Sequence, residues 1–508
     1  MRRKQLLFIA MAALVAVLAL PGSAFADATD LKNAIDGKLE PTVGINSMWV
    51  IFAACLVMFM QAGFAFLEIG FSRRKNAGTV VAKILMNFSI AAIAWWAVGF
   101  ALAFGNGDLW GSTGGFFFTD LGPYSAVADG VTTFHPDFGV LSLSSATIES
   151  KWFFQFAFCA VSLAIVWGTT LERIKFGVYV IYAIIFSTLI YPIGAHWVFG
   201  GGWLQANVGM QDFAGSTAVH LIGAAGGLAA LLLLGARRGK YDKDGRPRAI
   251  PGHNMPMFGL GILILWLGWF GFNPGSALGA LDGRFPEILM ITQLAAAGGV
   301  IMAAITSRLM QKTIDIGMVG NGAIAGLVAI TAPSGYVEAW SAPIIGAVAG
   351  VIVVVGVLMI DKVLDDPVGA LSAHGLAGIW GTLSCGLFTS PRLAEYNAFG
   401  EVDGGLFYSG SLAQLGHQAL GVTVAFAFVF LASLATFYLI KVTYGLRVTE
   451  EEEDAGLDIS EHGMYGYPEQ FIPGPEYPGG ATAIGSAAPA RATTMAARAA
   501  SALKGVTK

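Results

Sequence analysis

Eleven apolar runs of about 20 residues divide this chain, near 46–69, 79–104, 152–171, 176–199, 212–234, 255–273, 287–306, 316–332, 341–360, 372–389 and 411–441. A run of that length crosses the hydrocarbon core of a bilayer as a helix. Only a helix or a closed barrel satisfies its own backbone there. The chain therefore reads as an all-α polytopic membrane protein. Composition agrees: of 508 residues, 55% are hydrophobic and 12% charged, where a soluble domain carries about 25% charged. A net charge of −4 offers nothing to nucleic acid. The eleventh run is long, which implies tilt.

Ahead of the first run, residues 1–26 read as a signal peptide. Arg2, Arg3 and Lys4 form its basic end, Leu6–Leu20 its apolar core, and the small residues around Ala24 and Ala26 its cleavage site. An uncleaved anchor is the rival reading. Residues 27–45 then form an extracytoplasmic N-terminus, 46–447 the eleven-helix domain, 448–470 a cytoplasmic regulatory region and 471–508 a disordered Ala/Gly-rich tail. Basic residues set the orientation. Sixteen Lys and Arg fall in or beside loops on one side, among them Arg73–Lys75, Arg173, Lys175, Arg237, Arg238, Lys362 and Arg447, and five on the other. The basic side is cytoplasmic, with the N-terminus outside and the C-terminus inside.

The fifth and tenth runs each carry a histidine beside glycines: His220 in DFAGSTAVHLIGAAGG and His374 in ALSAHGLAGIWGTL. An ionisable group at membrane depth is costly and marks function by default. Gly223 and Gly227 follow the first, Gly378 and Gly381 the second, at helical spacing on the histidine's face. Glycine faces let helices approach closely, so the two imidazoles are expected to meet. Each of these two runs closes a set of five. Five is odd, so the second set is inverted relative to the first, and two inverted five-helix repeats surround a central pore. A neutral imidazole pair can share one N–H···N bond, line a path for a small polar molecule and relay protons.

Aromatics recur nearby: Phe154 and Phe158 in WFFQFAFCA, Trp269 and Phe272 in WLGWFGFNPGS. Asn273-Pro274-Gly275-Ser276 breaks its helix and leaves the Ser276 hydroxyl beside aromatic faces, which suits a small cation. Asp212 opens the fifth run, and capping that helix is its plainer role. Glu68 and Lys83 flank SRRKN at inner ends and read as a structural ion pair or as snorkelling side chains. Asp365 and Asp366 precede Pro367 at an inner mouth, to orient the tenth run or meet an exiting cation. His135 reads as a surface residue of a long outer loop, and Cys55, Cys159 and Cys385 as buried small hydrophobes without a metal spacing or disulfide framework. No cofactor or metal is expected. A haem held by the histidines would need them on opposite sides of one porphyrin, and glycine faces favour contact instead.

Taken together, DFAGSTAVH, FGFNPGS, LEIGFSRRKNAG, TLERIKF and DDPVGALSAHGLAGIWGTL resemble the ammonium transporter family Amt/Mep/Rh, its bacterial Amt branch in particular, over residues 45–467. The resemblance implies a homotrimer with one pore per subunit in the inner membrane of a bacterium. It implies that Phe158 and Phe272 stack as a gate bordered by Phe154, that Ser276 accepts recruited ammonium, and that Trp269 lines the pore. His220 and His374 become the twin histidines and Asp212 the acid beneath the outer vestibule. The vestibule tryptophan usual in this family, in a stretch like HWVWG, is Phe199 here, a weaker face for a cation; Trp203 is a candidate substitute. The region GLRVTEEEEDAGLDISEHG resembles the family's C-terminal region, which couples subunits and in many bacteria receives a PII-type signal protein. The expected function is ammonium uptake, not enzymatic catalysis: NH4+ is captured at an aromatic vestibule and deprotonated, NH3 crosses the pore, and the proton is relayed separately. The alternative is an ammonium sensor that signals through its tail with little transport.

Overall fold

The computed structural model describes residues 41–468 except 112–113, 129–130 and 398–399. The signal peptide and the Ala/Gly-rich tail expected at 471–508 lie outside the described residues. Among those described, nine helices are long and apolar enough to cross a membrane. They are α1 (Pro41–Phe71), α2 (Arg74–Phe104), α3 (Ile148–Thr169), α4 (Phe176–Ala206), α5 (Ser216–Leu234), α6 (Met255–Gly275), α7 (Arg284–Gln311), α9 (Ala339–Ile360) and α11 (Ala413–Thr443). The expected eighth run is the shorter apolar helix α8, Ile316–Thr331. The expected tenth, α10, spans 371–388 and is made of two segments with different winding. Among the described residues one antiparallel hairpin, β1 (Ser125–Ala128) with β2 (Val131–Phe134), sits in the loop between α2 and α3, on the side that the distribution of basic residues predicts to be outer.

Burial sorts these helices. Nearly nine-tenths of the apolar window of α3 is inside the protein, 89%, against 33% for α11. The first is therefore a central wall and the second a peripheral one. Helices α1 and α6 lie against each other through small residues. A Cβ on Gly261 would sit 2.5 Å from Leu67 N, and one on Gly271 2.4 Å from Ala53 O, so neither position accepts a side chain at this separation.

The histidines do not sit in ordinary α-helix. Ser216–Leu221 and Leu371–Leu376 are single π-helical turns, each containing its histidine and each continuing into α-helix. Such a turn widens the helix locally and recurs at functional sites. Its appearance at matching places in the fifth and tenth elements fits the repeat relation. The glycines act differently from expectation. Gly223 and Gly227 abut Ser162, Ile165 and Thr169 of α3 rather than α10. Gly378 abuts the π turn of α5 at Ser216 O, and Gly381 abuts Ala329 of α8. Only one of the two glycine faces therefore lies in the histidine-helix contact; the other seats α5 on the central wall.

Three further expectations are corrected. His135 is buried, 4% exposed, with Tyr124 edge-on at 5.1 Å between ring centroids. Cys55 is exposed on α1, while Cys159 and Cys385 are buried, and all three thiols are free. Glu68 and Lys83 are both buried inside the protein, so neither snorkels, and Lys83 Nζ has no hydrogen-bond partner.

The inner ends are tied by charge. Asp365 pairs with Arg237 at 2.8 Å and Arg173 at 3.9 Å, and Glu172 with Arg73 at 2.6 Å and Arg237 at 3.4 Å. Burial opposes charge on Asp365, but its bonds to Arg237 and the nearby Arg173 hold the carboxyl at about 2. Burial likewise opposes charge on Glu172, and Arg237 and Arg73 overcome it. Asp366 accepts from Leu371 N at 2.7 Å and so caps the π turn of α10, orienting it as the sequence suggests.

The segment after α11 folds back on these loops. Helices α12 (Glu450–Ala455) and α13 (Leu457–His462) follow a capping box between Thr449 and Glu452. Asp458 accepts from Gly78 N at 2.9 Å, Thr79 N at 2.8 Å and the Thr79 hydroxyl at 3.1 Å. Lys75 Nζ donates to the carbonyls of Glu453 and Asp454.

Candidate functional site

Starting at the outer end, α6 terminates at Gly275 as the Asn-Pro-Gly-Ser signal requires, with Ser276 as its C-cap. The Ser276 hydroxyl donates to Phe272 O at 2.9 Å, which leaves its oxygen lone pairs free to accept. It lines an outer cavity of about 280 Å³, shared with Phe104, Gln155, Phe199, Asp212 and Tyr396. Phe199 stands edge-on to Phe104 at 5.8 Å. Trp203 packs against Trp197 and does not line this cavity, so it does not take the place of the missing vestibule tryptophan.

Asp212 lies at the floor of that cavity with both oxygens engaged. Oδ1 accepts from Gly215 N and Ser216 N at 2.8 and 3.0 Å, and Oδ2 from Thr217 N and Ala218 N at 2.8 and 3.0 Å. Those are the free N–H groups that every helix start presents. Gly215, at φ 117°, makes the left-handed turn that brings them onto one carboxylate. The acid thus anchors the π turn carrying His220 and leaves a fixed carboxylate under the vestibule.

Below, the rings form a column. Phe154 and Phe158 touch at 4.6 Å between centroids. Phe158 and Phe272 are stacked at 4.0 Å with 22° between planes. Phe272 in turn stacks on His220 at 5.5 Å, and Trp269 does so at 5.3 Å. The Trp269 indole donates to Thr331 Oγ1 at 3.0 Å, which fixes its plane. His220 and His374 then meet through their Nδ1 atoms at 3.3 Å, rings 20° from parallel. Both are buried. A second, smaller cavity of about 20 Å³ follows, lined by His374, Phe64, Glu68, Asn321 and Val368. The candidate residues therefore fall in one line, from Ser276 through the phenylalanines to the histidine pair.

Sequence reasoning did not single out Gln155 or Tyr396 at the outer cavity, nor the inner cavity's use of Glu68. Gln155 is one residue from Phe154 and its Oε1 is buried without a partner. A lone amide in an apolar run was the available signal.

A model of the Ammonium Transporter Family matches residues 48–467, most of the chain. The chain belongs to the ammonium transporter family. Among relatives, it is 42% identical over 468 residues to ammonium transporter Amt2 of Archaeoglobus fulgidus, covering 90% of this chain and 94% of that one. It is 38% identical to a putative ammonium transporter of Synechocystis, sll0537, covering 82% and 73%. Among solved structures, one described as a sensor Amt protein superposes with a TM-score of 0.74 at 36% identity, covering 83% of this chain and 99% of that chain. The crystal structure of Mep2 from Candida albicans superposes at 0.70 with 27% identity, covering 80% and 87%. This family member is thus a multi-pass membrane protein and an ammonium transporter.

Proposed function

We infer that this transporter captures NH4+ in the outer cavity at Ser276, with Phe199 and the Asp212 charge nearby, and removes its proton at the Phe158–Phe272 stack. NH3 then passes the histidine pair, and the proton travels separately along it. The observation that carries this reading is the Nδ1–Nδ1 contact of two buried imidazoles directly beneath a closed aromatic stack. A bare charge at bilayer depth costs several kcal/mol or more. Neutral ammonia avoids that cost, and potassium, which has no proton to shed, is rejected.

Family membership further supports a homotrimer, a cytoplasmic C-terminal region that receives a PII-type protein, and insertion in a bacterial inner membrane with the N-terminus outside. The test is current on ammonium addition to proteoliposomes on a solid-supported membrane. His220→Ala with His374→Ala is expected to lower it at least tenfold, and an unchanged current rejects the relay. A second reading, a sensor with little transport, draws on the 36% identical structure described as a sensor. Flux in a transport-deficient host, with and without residues 448–508, separates the two.

A further inference from the structure

Glu68 has no place in the proposed path so far, yet it faces the inner cavity that His374 opens into. It is 1% exposed, and its Oε2 has no hydrogen-bond partner. The cavity, about 20 Å³, is large enough for one water-sized molecule, which is also the size of ammonia. Gly168 of α3 faces the carboxylate: a Cβ there would meet Glu68 Oε1 in ordinary contact at 3.7 Å and would crowd Val368 Cγ2 at 3.0 Å. One turn further, Ser72 and Arg73 begin the inner loop, so Glu68 stands at the cytoplasmic end of the column.

Its countercharge is Lys83 of α2, also fully buried and without a hydrogen-bond partner, its Nζ 5.8 Å from the centroid of the Tyr179 ring. The other titratable or charged groups around this pair are Arg173 and Glu172 after α3, Tyr179 of α4, His374 of α10, and Glu461 and His462 of α13. A structural ion pair satisfies its donors and acceptors with each other; these two leave theirs open. An unsatisfied buried charge is expensive, and one that faces a molecule-sized cavity has an evident occupant.

We propose that Glu68 is the proton-exchange residue at the cytoplasmic exit, an inference that rests on the ammonia-conducting reading above. Ammonia leaving the histidine pair occupies the cavity. The protonated Glu68 carboxyl gives it a proton: the O–H bond breaks, an N–H bond forms, and ammonium leaves a carboxylate behind. Lys83 balances that carboxylate until it takes up the proton that outer capture released and the histidines relayed. One ammonium is captured and one released per cycle, and the charge crosses with it. Lys83 is a positioning residue that acts through Glu68.

The test compares two readouts in proteoliposomes: ammonium-evoked current, and passage of neutral ammonia followed by stopped-flow pH change. Glu68→Gln is expected to lower the current at least tenfold and ammonia passage less than threefold, with Glu68→Asp recovering part of the current. A current within twofold of wild type for Glu68→Gln overturns the proposal, as does an equal loss of both readouts, which marks a merely structural role. If Glu68→Gln does not fold, Glu68→Gln with Lys83→Met removes both buried charges together, a change that buried pairs commonly tolerate, and the same thresholds apply. The wild type separates the two levels of inference. Absence of any wild-type current rejects the underlying reading, whereas normal wild-type current with an unaffected Glu68→Gln rejects only the exit residue.

Discussion

His220 and His374 share a single contact, Nδ1 to Nδ1 at 3.3 Å, and it forces opposite tautomers on the two rings. One must donate from Nδ1 and the other accept there. The donor's Nε2 is then an acceptor and the acceptor's Nε2 carries a hydrogen. The Nε2 of His220 is buried without a partner. A proton entering at one outer nitrogen and leaving at the other reverses the polarity of the pair and must be followed by a reset.

A unit of that kind predicts non-additive losses. His220→Ala and His374→Ala, made singly, are each expected to lower ammonium-evoked current by about as much as the double variant. Multiplicative losses, measured on the three variants at equal protein density, contradict a shared relay.

Phe199→Trp is expected to tighten apparent ammonium affinity. An exposed cation–π contact is worth about 0.5–1 kcal/mol in all and is strongest over an indole, so the gain is at most about two- to fivefold in half-saturating concentration. Concentration-dependent currents measure it, and an unchanged half-saturation shows that Phe199 lies outside the recruitment site.

Asp212→Ala strands four N–H groups at the start of α5 and is expected to cost about 2–4 kcal/mol. Thermal unfolding in detergent should fall accordingly. Asp212→Asn keeps one acceptor oxygen and should lose less.

Acid should loosen the inner loops. Asp365 is held at about 2 in the folded protein against about 3.9 when unfolded. Its contribution is therefore fully present above about pH 4 and is lost as pH falls towards 2. Asp365→Asn leaves Arg173 and Arg237 short of a buried partner, at a cost of about 3–5 kcal/mol, and should remove that part of the acid dependence. Unfolding midpoints followed from pH 6 to 2 for both proteins check this.

Asp458→Ala removes the acceptor that ties the C-terminal segment to Gly78 and Thr79. Limited proteolysis between residues 448 and 468 should then run at least fivefold faster, with the membrane helices still resistant. Equal cleavage rates indicate that the other ties, from Lys75, Asn76, Arg238 and Arg447, hold the segment without it.

Runs of apolar residues, the placement of His220 and His374 within them, and the helix stop at Asn273–Ser276 are local patterns, and they determined the all-helical membrane architecture and most of the candidate residues without coordinates. Periodicity of 3.6 assumes regular helix, so it carried no sign that both histidines sit in π turns. It also assigned Gly223 and Gly227 to the wrong neighbour, because a glycine face tells that something approaches and not what does. The fates of Glu68, Lys83 and His135 were equally out of reach. A charged residue near a helix end reads as solvent-facing unless the helices around it are known, and only their packing turns Glu68 towards a cavity shared with His374. Spacing along the chain fixes which residues a helix carries; which of them face one another across 154 residues is decided by the meeting of α5 and α10, a long-range contact no local pattern encodes.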